Sequence, residues 1–184
     1  MGTIPPLPSI TAGENPTAAK LNQWSTAIDF WSNPPQASIY QTTTSTSFTT
    51  GTWGLVGFDA EIFDIVQSGD SPMHDTATLN SRLYFRTPGK YVVSGQLTFV
   101  TNATGSRSVD LRMNAAGSSS GGTSLVLHSV AALASATTVL VPEVTYAFAA
   151  GDYVELFGLQ TSGGTISSQT GQRYSFLKAR LVSQ

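Results

Sequence analysis

Arg86-Thr87-Pro88-Gly89-Lys90-Tyr91-Val92-Val93-Ser94-Gly95-Gln96-Leu97-Thr98-Phe99 is the stretch on which the fold turns. Thr-Pro-Gly is turn chemistry: proline presets one backbone angle and glycine accepts conformations that other residues resist. Beyond it, Tyr91, Val93, Gly95, Leu97 and Phe99 alternate with more polar neighbours. A period of two places alternate side chains on one face, so the segment reads as a long strand with one buried face, over residues 90–100. Working outward, short β-branched or aromatic runs recur at 37–41, 48–58 and 81–86 on one side. On the other side they recur at 107–113, 124–132, 137–148, 153–160 and 174–182. Clusters of Gly, Asn, Ser and Pro separate them, among them Asn102-Ala103-Thr104-Gly105, Ala150-Gly151-Asp152 and Ser162-Gly163-Gly164. Strands at this spacing predict a β-sandwich or barrel. The Thr/Ser tract 42–50 has little to bury and reads as an edge strand or a solvent-facing loop. No internal repeat and no helix is expected after residue 37.

The composition narrows the function classes. The 184 residues include 9 Lys+Arg and 11 Asp+Glu, for a net charge of −2, with 40% hydrophobic and 11% charged residues against a usual ~25% charged. A chain of this length buries roughly 70% of its unfolded surface and needs no metal or disulfide to fold. Without a basic run it does not read as a nucleic-acid binder. No stretch approaches the ~18 apolar residues of a membrane span, and the opening Met1-Gly2-Thr3-Ile4 lacks the features of a signal peptide. With no cysteine, thiolate metal sites and cysteine nucleophiles are excluded.

Six of the nine prolines (Pro5, Pro6, Pro8, Pro16, Pro34, Pro35) precede residue 36. The first residues therefore read as an extended arm, held either by the chain's own domain or by a partner. A helix follows, capped by Asn15 or Thr17 and ended by Asn33-Pro34-Pro35. Leu21, Trp24, Ile28 and Trp31 recur at spacings of 3, 4 and 3, a heptad-like apolar stripe. About fifteen residues make a marginal helix in water, so the stripe must dock, on its own domain or on a partner. Residues 1–36 are thus expected to be an anchoring segment and 37–184 a β-domain with its own core.

Two motifs give the chain a family likeness. Asn80-Ser81-Arg82-Leu83 followed by the turn and strand above, and Phe148-Ala149-Ala150-Gly151-Asp152-Tyr153-Val154, resemble hallmarks of the complement-globular-head and tumour-necrosis-factor-like jelly rolls. The N-terminal run Ile10-Thr11-Ala12-Gly13-Glu14, with Thr17-Ala18-Ala19-Lys20-Leu21-Asn22, is similar to minor tail, fibre and head-decoration proteins of phages of actinobacteria. Met73-His74-Asp75, Asn102-x-x-Gly105-x-Arg107 and Arg112-x-Asn114 extend that likeness over nearly the whole chain. One departure is Asn114-Ala115 in place of Asn-Gly, which predicts a longer, looser hairpin through the Ser/Gly-rich 117–122. The resemblance implies an all-β jelly-roll sandwich preceded by an arm and one short helix, a homotrimer on the surface of a virion. It further implies contacts with other virion proteins through the arm and helix, and a head exposed to host-surface glycans. A capsid-cementing decoration protein and a glycan-degrading virion enzyme are the alternative functions.

Candidate chemistry is thin. Asp59, Glu61, Asp64, Asp70 and Asp75 lie within 17 residues beside His74, enough oxygen for calcium but without EF-hand spacing. Turn-capping roles fit these residues better. Glycoside hydrolysis needs two carboxylates at a set separation; Glu61, Asp64, Glu143 and Glu155 are available but nothing pairs them. No Gly-x-Ser-x-Gly elbow occurs, and Gly117-Ser118-Ser119-Ser120-Gly121 is low-complexity loop. His128 reads as an ordinary strand residue, and Asn102-Ala103-Thr104, a glycosylation acceptor by pattern, as a hairpin turn. Trp53, Tyr40 and Tyr174, near strand ends, are candidate carbohydrate platforms or interface anchors. The expectation is no catalytic residue, no cofactor and no metal, with Leu21, Trp24, Ile28 and Trp31 as the attachment or oligomer interface.

Overall fold

The computed structural model describes residues 5–183; the expected start of the arm at Met1–Ile4 and the terminal Gln184 lie outside the described residues. One helix, α1 (Ala18–Ser32), precedes twelve strands. They are β1 (Gln36–Tyr40), β2 (Ser47–Thr49), β3 (Gly54–Leu55), β4 (Ala60–Ile65), β5 (Arg82–Tyr84) and β6 (Gly89–Phe99). After them come β7 (Ser106–Met113), β8 (Thr123–Ala131), β9 (Thr137–Phe148), β10 (Tyr153–Gln160), β11 (Thr165–Ser167) and β12 (Phe176–Ser183).

Strand pairing builds two antiparallel sheets. One runs β4-β1-β12-β6-β9; the other runs β3-β10-β7-β8, with β5 also on β10 and a small β11-β2 pair between. Apart from the β7–β8 hairpin, neighbours in each five-stranded sheet come from separated parts of the chain, and the connections cross between sheets, the jelly-roll form of the sandwich. Alternation puts Tyr91, Val93, Leu97 and Phe99 of β6 at zero exposure, facing Val109, Leu111, Val154 and Leu156 of the opposite sheet. At one end of this core Phe85 stacks on Phe148, ring centroids 3.7 Å apart and 13° from parallel, with Tyr91 edge-on to Phe85 at 4.6 Å.

The two family hallmarks converge on Phe85. Its N–H donates to the Asp152 carbonyl at 2.8 Å, and the Gly151 N–H donates to the Phe85 carbonyl at 2.8 Å. Gly151 sits at φ +95°, where glycine is favoured, and the Asp152 carboxylate closes the turn by accepting from the Ala149 N–H at 2.8 Å.

Three expectations change. The segment 60–65, absent from the expected strands and weighed only for its acidic residues, is the edge strand β4, paired with β1. Its side chains are exposed or half-exposed throughout, so no alternation marks it. The run 48–58 is broken into β2 and β3 by a turn at Gly51, φ +73°. The 117–122 hairpin is tied down rather than loose: the Gly117 N–H donates to Glu155 at 2.9 Å and Arg112 Nε donates to the Gly121 carbonyl at 2.8 Å. Asn114, at φ +54°, bonds through its side chain to Asp152 and to the Tyr153 N–H, giving that hairpin a fixed base.

Gly95 is the tightest point of the deciding strand. A Cβ there would lie 2.5 Å from the Phe176 carbonyl oxygen of β12 and 3.2 Å from the Leu177 Cα. Both are backbone atoms, so the sheet itself would have to move. Gly95→Ala is expected to destabilise by about 1–3 kcal/mol, the usual cost of overpacking, read as a lower urea midpoint with an unchanged m-value.

Candidate functional site

The anchoring segment is a hairpin of arm and helix. Thr17 caps α1, its hydroxyl accepting from the Lys20 N–H, so the cap is Thr17 rather than Asn15. A turn closes between Thr11 and Glu14, and the arm before it runs back along the helix. Trp24 Nε1 donates to the Pro8 carbonyl at 2.9 Å, Lys20 Nζ to the Ser9 carbonyl at 3.1 Å, and Lys20 pairs with Glu14. The described part of the arm is therefore held by its own helix.

Docking of α1 uses a face the stripe does not include. Ala27 is fully buried and Phe30 is 4% exposed within the core cluster, so the β-domain does not own its whole core. A cleft of about 390 Å³ separates Thr26, Asp29 and Asn33 on the helix from Val66, Gln67 and Ser68 on the domain. Of the stripe, Trp24 is half-buried under the arm, while Leu21, Ile28 and Trp31 are 49%, 63% and 42% exposed. Trp31 meets Phe30 edge-on at 5.0 Å. The stripe thus stands as a solvent-facing apolar seam on a helix fixed by another face. Phe30 escaped the heptad pattern because it sits one residue before Trp31, outside the 3-4-3 rhythm.

The acidic residues are spread over separate tasks. Asp59 accepts from the N–H groups of Thr42, Thr43 and Thr44 and from the Thr43 hydroxyl, at 2.5 to 3.1 Å. Burial opposes its charge, but these four donors prevail and hold the carboxyl at about 2. Asp75 caps the Ala77 and Thr78 N–H groups, which draws its pKa down. Asp64 accepts from the His74 N–H at 2.9 Å, and burial pushes its carboxyl up despite that bond. The His74 ring is wholly buried, Nδ1 2.9 Å from Glu61 and Nε2 3.1 Å from the Asn80 carbonyl. Among the described residues no three His, Asp or Glu side chains are placed to share an ion.

The carboxylates weighed for hydrolysis are also separated. Glu155 is 1% exposed and accepts from Arg82 Nε at 3.0 Å, the Ser81 hydroxyl at 3.3 Å and the Gly117 N–H at 2.9 Å. Glu143 lies exposed on β9. Glu61 and Asp64 do share a depression of about 640 Å³ with His74 and Arg86. His128 Nδ1 bonds to the Leu140 carbonyl at 2.8 Å, and the Thr104 N–H donates to Asn102 Oδ1, the turn expected there. Trp53 lies half-buried beside β3, Tyr40 ends β1, and Tyr174 lines a polar depression just before β12.

Asp59 makes acid stability a direct readout of this arrangement. Its folded pKa, about 2, lies below the ordinary 3.8, so its contribution is present above pH 3.8 and is lost as the pH falls towards 2. The stability difference between the parent and Asp59→Asn is expected to shrink across that window, as measured by urea unfolding at stepped pH.

No protein-family model matches the chain, and no curated protein matches it in sequence. Solved structures do match. The Eiger TNF of S. frugiperda is 13% identical, covering 82% of this chain and 94% of that one at a TM-score of 0.58. Murine APRIL is 9% identical, covering 80% and 98% at 0.59. The globular domain of zebrafish complement 1qA is 14% identical, covering 82% and 98% at 0.50. At these identities the likeness establishes the fold: the domain is a jelly-roll β-sandwich similar to those of tumour-necrosis-factor and complement-globular-head proteins.

Proposed function

We propose that the chain is a homotrimeric structural protein of a bacteriophage particle, of minor tail or fibre type, anchored through its arm and α1 with the jelly-roll head facing outward. The observation that carries this reading is the seam of Leu21, Ile28 and Trp31, left in solvent on a helix that is already fixed to its own domain. Fully burying one such side chain is worth roughly 1.5–3 kcal/mol, so the seam is a ready contact for another virion protein or a sister chain. The N-terminal motif similar to those of phage tail and head proteins points the same way. The trimer is supported by exposed apolar surface on the head. Leu127 on β8, Leu133 in the β8–β9 loop and Leu140 on β9 are each more than half exposed, on and between the two strands that edge the facing sheets. The outward row Tyr40–Phe176–Gln96–Leu140 crosses the β1-β12-β6-β9 sheet. With only 11% charged residues, a lone chain has little charge to keep such patches apart. The head is read as a binding and structural part rather than an enzyme, because Glu155 is engaged in packing the hairpin and, in the depression that Glu61 and Asp64 share, both are bonded to His74.

Light scattering of the full chain is expected to give three times the 19.4 kDa chain mass; a monodisperse monomer at micromolar concentration refutes the trimer. Ile28→Ser/Trp31→Ser is expected to cost no more than about 2 kcal/mol of stability, mostly the edge contact of Trp31 with Phe30, yet to abolish incorporation into assembled particles. Normal copy number of that variant refutes the anchor. Phe30→Ala supplies the contrast: it should cost about 3–5 kcal/mol of folding stability, because its ring is buried in the core.

A further inference from the structure

The strands fix two poles on the head. α1 enters at the start of β1, where the Pro35 carbonyl accepts from the Leu181 N–H near the end of β12. The opposite pole gathers the end of β1, the end of β6 and the start of β12. There a depression of about 410 Å³ opens, lined among others by Thr43, Ser45, Val100, Gln169, Thr170 and Tyr174. Among the described residues, those that line it carry no charge.

Its walls are held rigid by the protein's own polar groups. Asp59 pins the Thr42–Thr44 backbone, as described above. The Thr46 N–H donates to Ser168 Oγ at 2.8 Å, the Ser168 N–H donates to the Thr46 carbonyl at 2.9 Å, and Gln41 Nε2 donates to Thr46 Oγ1 at 2.9 Å. On the other wall the Gln169 N–H donates to the Thr98 carbonyl at 2.7 Å, and the Ser175 hydroxyl donates to the Gln169 carbonyl at 2.8 Å. Gln169 Oε1 is buried with no partner among the described residues. Arg173 fixes the phenol of Tyr174, its guanidinium 4.9 Å from the ring centroid and Nη2 donating to the hydroxyl at 2.8 Å.

We propose that this depression binds a neutral carbohydrate. Hydroxyls and an amide both donate and accept, as the vicinal hydroxyls of a sugar require. A phenol ring offers an apolar face for the sugar's C–H groups, with a polar tip. The lining side chains are uncharged and the adjoining Arg173 is already engaged by Tyr174, which favours a neutral ligand, and a prearranged wall spares the ordering cost of binding. The inference rests on the proposed function only for its direction: a head anchored through α1 turns this pole away from the particle.

The test is a titration of the full-length free protein, followed by amide chemical shifts, with a panel of neutral probes. These are the methyl glycosides of glucose, galactose, mannose, arabinose and rhamnose, and linear trisaccharides of each. At least one is expected to give saturable shifts confined to 43–46 and 167–174, with a Kd on the order of millimolar. Ser45→Trp fills the depression at an exposed residue with no side-chain bond to break, and should weaken that binding about tenfold or more. Tyr174→Ala should do the same, whereas Tyr174→Phe keeps the ring and should retain most of it. The proposal is overturned if no probe shifts these amides, if the shifts lie elsewhere, or if Ser45→Trp binds like the parent. Because the titration needs no particle, it can fail while the Ile28/Trp31 variant behaves as an anchor mutant, and the reverse.

Discussion

The packing of Phe85 between Phe148 and Tyr91 is the interaction on which the rest of the structure hangs. Phe85 follows β5, Phe148 closes β9, and Tyr91 opens the central part of β6, so three rings clamp both sheets at one end. The turns on either side serve that contact. Tyr91 donates its hydroxyl to the Thr87 carbonyl at 2.8 Å, which satisfies a buried polar tip and fixes the Thr-Pro-Gly turn. Gly151 and Asp152 reach the Phe85 backbone from the second turn. Sequence hallmarks far apart in the chain are therefore two sides of one aromatic contact.

A chain so poor in charge uses most of what it has internally. Arg82 and Glu155 pair across the β5–β10 edge, and Arg112 pairs with Asp110 at 2.7 Å. Arg107 is fully buried, its guanidinium donating to the carbonyls of Asn102, Thr104 and Ser106 and lowered in pKa by that burial. It holds the β6–β7 turn by filling backbone acceptors rather than meeting a carboxylate. Exposed charges such as Lys90, Glu143 and Arg180 are therefore few, and hydroxyls, amides and apolar side chains make up much of the outside.

The long strands were legible because one face is dry and the other wet. In β6 and β12 that contrast imposes a period of two that survives in the residues, whereas β7 and β10, buried over five consecutive residues, were legible from their β-branched and apolar runs between turn clusters. Such a signal fails where a strand lies at an edge or is very short. β4 shows Glu61 and Asp64 because its side chains cover a loop instead of entering the core, and β11 has only three residues. The helix was legible from its cap, its prolines and its stripe, but its docking face was not. Ala27 and Phe30 make too short a signal beside four larger apolar residues in register. Asp59 was visible only as one acid among several, since its partners lie 15 to 17 residues upstream and the chain pattern carries no trace of that reach.

The position of β1 has a mechanical consequence. It is the strand that leads directly from the helix, and it is sandwiched between β4 and β12, with five registered pairs on each side. Antiparallel backbone bonds lie perpendicular to the strands. A pull entering at Pro35 and resisted at the far pole therefore runs along β1 and loads both ladders in shear, so that the bonds must give way together rather than unzip one by one. The joint between helix and head is built so that tension along β1 is shared by ten registered pairs on two neighbouring strands.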